Sequence, residues 1–216
     1  MSQSYFSDPG RHAALLDDLP ADPTVFPGGP GPDWRRVADL LDADQERWPG
    51  RPLSEPRPRP VGASSRATAL LSVAALRRGG VPARCRIGFT RGYAPAVVVT
   101  RPGGSESFGP DGFVLAGEVW LAWRDGTLDA TRFGGAAAVR DAVLRDLAYA
   151  NRDELPLSET WGPMGPDLVG DLDLVDDLAA LLVAAFLRDD VAERELAERY
   201  ASDHRVRPPR DLAPVA

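Results

Sequence analysis

Apolar residues follow a helical period towards both ends of the chain and a shorter, alternating period in its middle. Asp8-Pro9-Gly10 opens the first helix, predicted over Arg11 to Asp18 with proline early in its first turn. A loop rich in Pro, Gly and Asp follows from Pro20 to Pro32. Asp33 then reads as the N-cap of a helix through Trp48 that carries Trp34, Val37, Leu40 and Leu41 on one face. The stretch Pro49 to Gly62 is proline-rich and predicted to run extended along the surface. From Ser64 or Ser65 to Arg78, Leu70, Leu71, Val73, Ala74 and Leu76 surround so much of the next helix that it is expected to be buried, and Gly79-Gly80 stops it.

Alternation and β-branched content predict strands over Pro82 to Phe89, Ala94 to Thr100, Phe113 to Trp123 and Thr127 to Ala130. Helical spacing returns over Ala136–Asn151, Leu172–Leu187 and Asp190–Ser202, and the proline-rich tail from Arg205 to Ala216 is expected to be unpaired. Helices, then strands, then helices predict an α+β fold in a single domain. The domain divides into N-terminal helices and a Pro-rich loop (1–62), a core helix and sheet (63–135), C-terminal helices (136–204) and a tail (205–216). No internal repeat is present. Gly103-Gly104 and Gly134-Gly135 read as turns, since neither lies between a strand and a helix with a following lysine.

Composition removes several chemistries. The 216 residues are 44% hydrophobic and 26% charged, with net charge -7 and pI ≈ 4.9. The basic run Arg51 to Arg59 is broken by prolines and Glu55, so a nucleic-acid partner is not expected. The longest apolar stretch, Leu178 to Leu187, is too short to span a bilayer, and Met1 to Asp8 does not read as a secretory signal; a cytoplasmic protein is expected. There is no lysine, which excludes a lysine Schiff base or general base. With one cysteine, Cys85, and two histidines, His12 and His204, neither an intrachain disulfide nor a multi-ligand Cys/His metal site can form. No cofactor is implied, although carboxylates for magnesium or calcium are plentiful.

Two blocks carry a family resemblance. Ser65-Arg66-Ala67-Thr68-Ala69-Leu70-Leu71, continuing through Leu76-Arg77-Arg78-Gly79-Gly80-Val81-Pro82-Ala83-Arg84 to Gly88-Phe89, resembles the core motif of bacterial transglutaminase-like proteins. In that family a cysteine opens a buried helix that ends in a Gly-(Ile/Val)-Pro-Ala-Arg stretch leading into a strand. Glu118-Val119-Trp120 followed by Leu128-Asp129-Ala130 resembles the strand pair that supplies the family's histidine and aspartate. The termini resemble one bacterial subfamily through Tyr5, His12-Ala13, Leu144-Arg145-Asp146-Leu147, Asn151, Leu155-Pro156 and Trp161-Gly162. The resemblance implies a transglutaminase-like or papain-like core, with a central helix on an antiparallel sheet and additional helices at both ends. It places Ser65 at the cysteine position, Val114 at the histidine position and Asp129 at the aspartate position.

The implied chemistry is incomplete. The family mechanism needs a thiolate at a helix N-terminus, an imidazole to activate it and a carboxylate to orient the imidazole. Ser65 without a base is a far weaker nucleophile, and Asp129 with an ordinary pKa of ~3.9 is a poor substitute unless burial raises it. Ser65 has a plainer role, capping the helix together with Ser64. Asp129 could equally pair with Arg66, Arg84 or Arg132, and Glu118 could face water or an arginine. Cys85, between Arg84 and Arg86, points inward by strand alternation, and His12 or His204 could reach the site from elsewhere in the sequence.

The expectation is a degenerate protein without acyl-transfer activity that keeps a cleft lined by Ser65, Arg66, Val114, Glu118 and Asp129 for a small molecule or a peptide. The alternatives are a repurposed enzyme of specialised biosynthesis, acting through Ser65 or through carboxylate acid–base work at Asp129 and Glu118, and an interaction module built on the acidic, Leu- and Ala-rich helix from Asp171 to Leu187. Arginine-only basic usage suggests a GC-rich bacterial genome.

Overall fold

The structure is a computed structural model that describes residues 6–17, 19, 33–58, 61, 64–90, 95–100, 107–108, 112–168 and 170–209. The loop predicted over Pro20 to Pro32, the Gly103-Gly104 turn, Tyr5 and the last seven residues of the tail lie outside these. The fold is α+β. Among the described residues the helices are α1 (Val37–Arg47), α2 (Ser65–Arg78), α3 (Ala116–Arg124), α4 (Ala136–Ala150), α5 (Leu172–Phe186) and α6 (Asp190–Ser202). Shorter 3-10 segments cover Gly10–Leu16 and Ala130–Phe133. The strands β1 (Arg84–Phe89), β2 (Pro95–Thr100), β3 (Ser107–Phe108) and β4 (Val114–Leu115) form one sheet in the order β3-β2-β1-β4. β1 and β4 run antiparallel with Gly88 opposite Leu115, and β2 and β3 run antiparallel with Val99 opposite Phe108.

The chain divides into two compact units, one comprising Met1–Cys85, Val97–Phe108 and Arg152–Pro156, the other Arg86–Ala96, Gly109–Asn151 and Leu157–Ala216. In the first, α1 and α2 bury Val37, Leu40 and Leu41 with Leu70, Leu71 and Val73. Two arginines tie irregular segments to this core. Arg57 sits beside Asp44 with both side chains at zero exposure, and it also donates to the carbonyls of Arg51, Pro52 and Glu55. The proline-rich stretch is therefore not a surface ribbon: Leu53, Arg57 and Val61 are buried, because an arginine that satisfies its own loop's carbonyls removes the cost of burying them. Asp33 is also not the cap of α1. The helix starts at Val37, whose N–H donates to the Phe6 carbonyl, while the Asp33 carboxylate accepts from Ser64 and Arg66.

In the second unit α3, α4, α5 and α6 pack together around Leu115, Val119, Trp120, Val143, Leu147, Leu178, Leu182 and Leu196. Arg86 and Asp146 form a buried two-point ion pair at 2.8 and 2.7 Å, and Asp146 also accepts from the Ile87 N–H. Gly117 lets α3 approach α5 closely, since a Cβ there would lie 2.8 Å from the Ala179 carbonyl oxygen. α5 turns Val175, Leu178, Ala179, Leu182 and Ala185 inward, while Leu172, Leu174 and Leu181 are half-buried and Leu187, just past its end, is exposed.

Two predicted strands are not strands. Phe113 to Trp123 contains only the two-residue β4 before α3 begins. Leu115, Ala116, Val119 and Trp120 are buried at helical spacing, Glu118 lies in the first turn and Arg124 in the last, a charge order that suits the helix dipole. The β-branched and aromatic content of Glu118-Val119-Trp120 outweighed this pattern in the sequence reading. Thr127 to Ala130 is a turn into a 3-10 segment, because Asp125 and Asp129 bind nearby backbone N–H groups in place of a strand partner. The tail is also not wholly unpaired: Val206 and Pro208 are buried, and the Val206 carbonyl accepts from the Trp161 indole N–H at 3.0 Å.

Candidate functional site

The start of α2 is organised by Ser64. Its hydroxyl oxygen accepts from the Ala67 N–H at 3.1 Å and its O–H donates to Asp33 at 2.7 Å. Ser64 alone makes the cap, and Ser65 is the exposed first residue of the helix. Arg66, one residue on, is at zero exposure. Its guanidinium donates to the carbonyls of Glu154, Leu155, Trp34 and Arg35 and to the Asp33 carboxylate. It acts as a clamp that fastens two irregular segments to α2, with its donors directed at the chain itself.

Val114, Glu118 and Asp129 belong to the other unit. Val114 is 39% exposed on β4. The exposed Glu118 carboxylate reaches back to accept from the Leu115 N–H at 3.0 Å, satisfying a donor at the start of α3. Asp129 is exposed and accepts from the Thr131 N–H at 3.0 Å and hydroxyl at 2.7 Å. These bonds, with the charge of Arg132, hold its carboxyl below the usual range. The burial that would have made Asp129 a base is missing, and its bonds favour the ionised form.

His12 Nε2 lies 2.7 Å from the Asp42 carboxylate, which Arg11 also binds at 2.6 Å, and His204 is exposed in the turn after α6. Asp42 sits below its ordinary pKa because of those hydrogen bonds.

The sequence reading missed a buried cluster in the first unit. Cys85 is at zero exposure on β1, where both faces from Cys85 to Phe89 are buried, and burial pushes its thiol well above the ordinary value. The charge of Glu154 adds to that rise. Glu154 is at zero exposure in the segment Arg152–Pro156, and neither carboxylate oxygen has a hydrogen-bond donor among the described residues. Arg77 of α2 comes to 3.6 Å, within ion-pair range but beyond a hydrogen bond. Burial raises the Glu154 carboxyl to about 7, against the opposing pull of Arg77, Arg66 and Arg152. Nothing in Asp153-Glu154-Leu155-Pro156 marks it, since a single acid in an irregular segment has no periodicity to betray its burial.

Among the described residues, no cluster of His, Cys, Asp and Glu is placed to hold a metal ion, and no helix is long and apolar enough to cross a membrane. Comparison of the chain with protein-family models, with curated proteins and with solved structures found no match.

Proposed function

We propose that this chain is a degenerate transglutaminase-like domain that binds a small molecule or a peptide and performs no cysteine acyl transfer. The reading rests on the order of α2, a glycine stop and β1 ending at Gly88-Phe89, which is the order the resembling motif requires. The observation that carries the loss of activity is the position of the thiol. Cys85 lies inside β1 at zero exposure with a raised pKa, while the helix start that the mechanism needs for a thiolate carries exposed Ser65. An inaccessible thiol held in its neutral form is neither a nucleophile nor a ligand.

The local bonding of Asp129 and Glu118 favours this reading over acid–base work at those two residues. Asp129 is held ionised by Thr131, and Glu118 is tied to the Leu115 N–H. Screening small molecules and short peptides by ligand-observed NMR, against wild type and Ser65→Ala, tests the binding role. The reading expects binders that persist unchanged in the presence of either protein. Conversion of a bound compound by wild type and not by Ser65→Ala contradicts it.

A further inference from the structure

We propose that Glu154 is a proton-controlled latch that holds the segment Arg152–Pro156 against α2 while protonated and lets it open when the carboxyl ionises. In the closed state Arg66 donates to the Glu154 and Leu155 carbonyls, so release of the segment also has to break these bonds. The side chain is buried with neither oxygen receiving a hydrogen bond from a described residue. A neutral carboxyl tolerates that; a carboxylate does not.

The groups facing Glu154 define the balance. From α2 come Arg77 and Arg66, from β1 the Cys85 thiol, and from its own segment Arg152 and Asp153. Arg77 approaches the carboxylate to 3.6 Å, and it also donates through Nε to the Ala83 carbonyl at 2.9 Å and through Nη1 to the Ser7 hydroxyl. Ionisation therefore leaves a buried charge whose oxygens receive no hydrogen bond from a described residue. Water reaches it most readily by release of the side chain together with its short segment. The carboxyl of the closed state titrates near 7 and that of the opened state near the ordinary 4.5. Opening thus becomes more favourable as pH rises between these values and levels off above them. The device is independent of whether the chain binds a ligand.

Amide hydrogen exchange on the full chain, corrected for the intrinsic pH dependence of exchange, reads it at the Leu155 N–H, which is bonded to the Asp153 carbonyl. Protection in wild type should fall on the order of a hundredfold between pH 4.5 and pH 8, with little dependence on low urea. In Glu154→Gln, which cannot ionise, the fall should vanish. A pH-independent Leu155 in wild type, or the same fall in Glu154→Gln, overturns the latch. So does exchange at Leu155 that follows the urea dependence of the α1 amides. Should Glu154→Gln not fold, infrared spectroscopy of wild type decides. A protonated-carboxyl band that persists after ordinary carboxyls have ionised supports the latch, and its disappearance with them overturns it.

Discussion

The Arg77 guanidinium stands 3.6 Å from the Glu154 carboxylate, inside the range of an ion pair and outside that of a hydrogen bond, and both oxygens of the acid lack a donor among the described residues. Attraction at that distance does not repay desolvation, and burial therefore outweighs three nearby arginines to raise the acid to about 7.

The consequence for global stability has a definite sign. A carboxyl raised from 4.5 to about 7 keeps its proton in the folded state while the unfolded chain loses it. Its contribution is fully present below about pH 4.5, declines as pH rises and is exhausted above about pH 7, a total of roughly 3 kcal/mol. Urea titrations of wild type and Glu154→Gln from pH 4.5 to pH 8.5 should show that decline in wild type alone. Parallel curves would remove Glu154 as its source.

Ser64 and Ser65 are adjacent but not equivalent. Ser64→Ala removes the cap on Ala67 and the bond to Asp33 and should cost about 1 kcal/mol. Ser65→Ala, at an exposed first helical position, should stay within about 0.5 kcal/mol of wild type. Thermal and urea unfolding of the two variants checks the assignment.

Arg86 and Asp146 should behave as a buried pair whose halves need each other. Asp146→Ala leaves the guanidinium buried without its partner and should destabilise by about 3–5 kcal/mol, as should Arg86→Ala. The double change Arg86→Met with Asp146→Leu should cost clearly less than the two single losses added together. Additive losses in a double-mutant cycle would contradict the coupling.

How far the sequence reached depends on which interactions write a period into it. α2, α4, α5 and α6 were legible from their apolar spacing, and the end of α2 from Gly79-Gly80, whereas the capping of α5 by Asp171 and of α6 by Asp189 emerged only in the structure. α3 was not, because its nine residues are short and rich in Val and Trp, a composition that also suits a strand. The burial of Cys85 was expected from alternation along β1, but the burial of Arg86 on the other face, against Asp146, was not. The arginine clamps did not, since Arg57 and Arg66 find their acceptors in irregular segments whose approach no local pattern encodes. Glu154 was hidden for the same reason. Of the site residues, Ser65 and Asp129 were named by resemblance, and the hydrogen bonds of Asp129 to Thr131 became visible only in three dimensions.

Cys85 should be silent towards thiol reagents in the native state. Its zero exposure and raised pKa both suppress the thiolate. Labelling at neutral pH should proceed only as fast as the fold opens and become stoichiometric in denaturant. Rapid labelling of the native chain would mean that the thiol is reachable and would reopen cysteine chemistry.

The most direct test of the whole account is intact-protein mass spectrometry after exposure to activated acyl donors and serine-reactive probes, comparing wild type with Ser65→Ala. The account predicts no stable adduct on either protein under native conditions. An adduct on wild type that disappears in Ser65→Ala would contradict it, and would make Ser65 a working nucleophile whose base remains to be found.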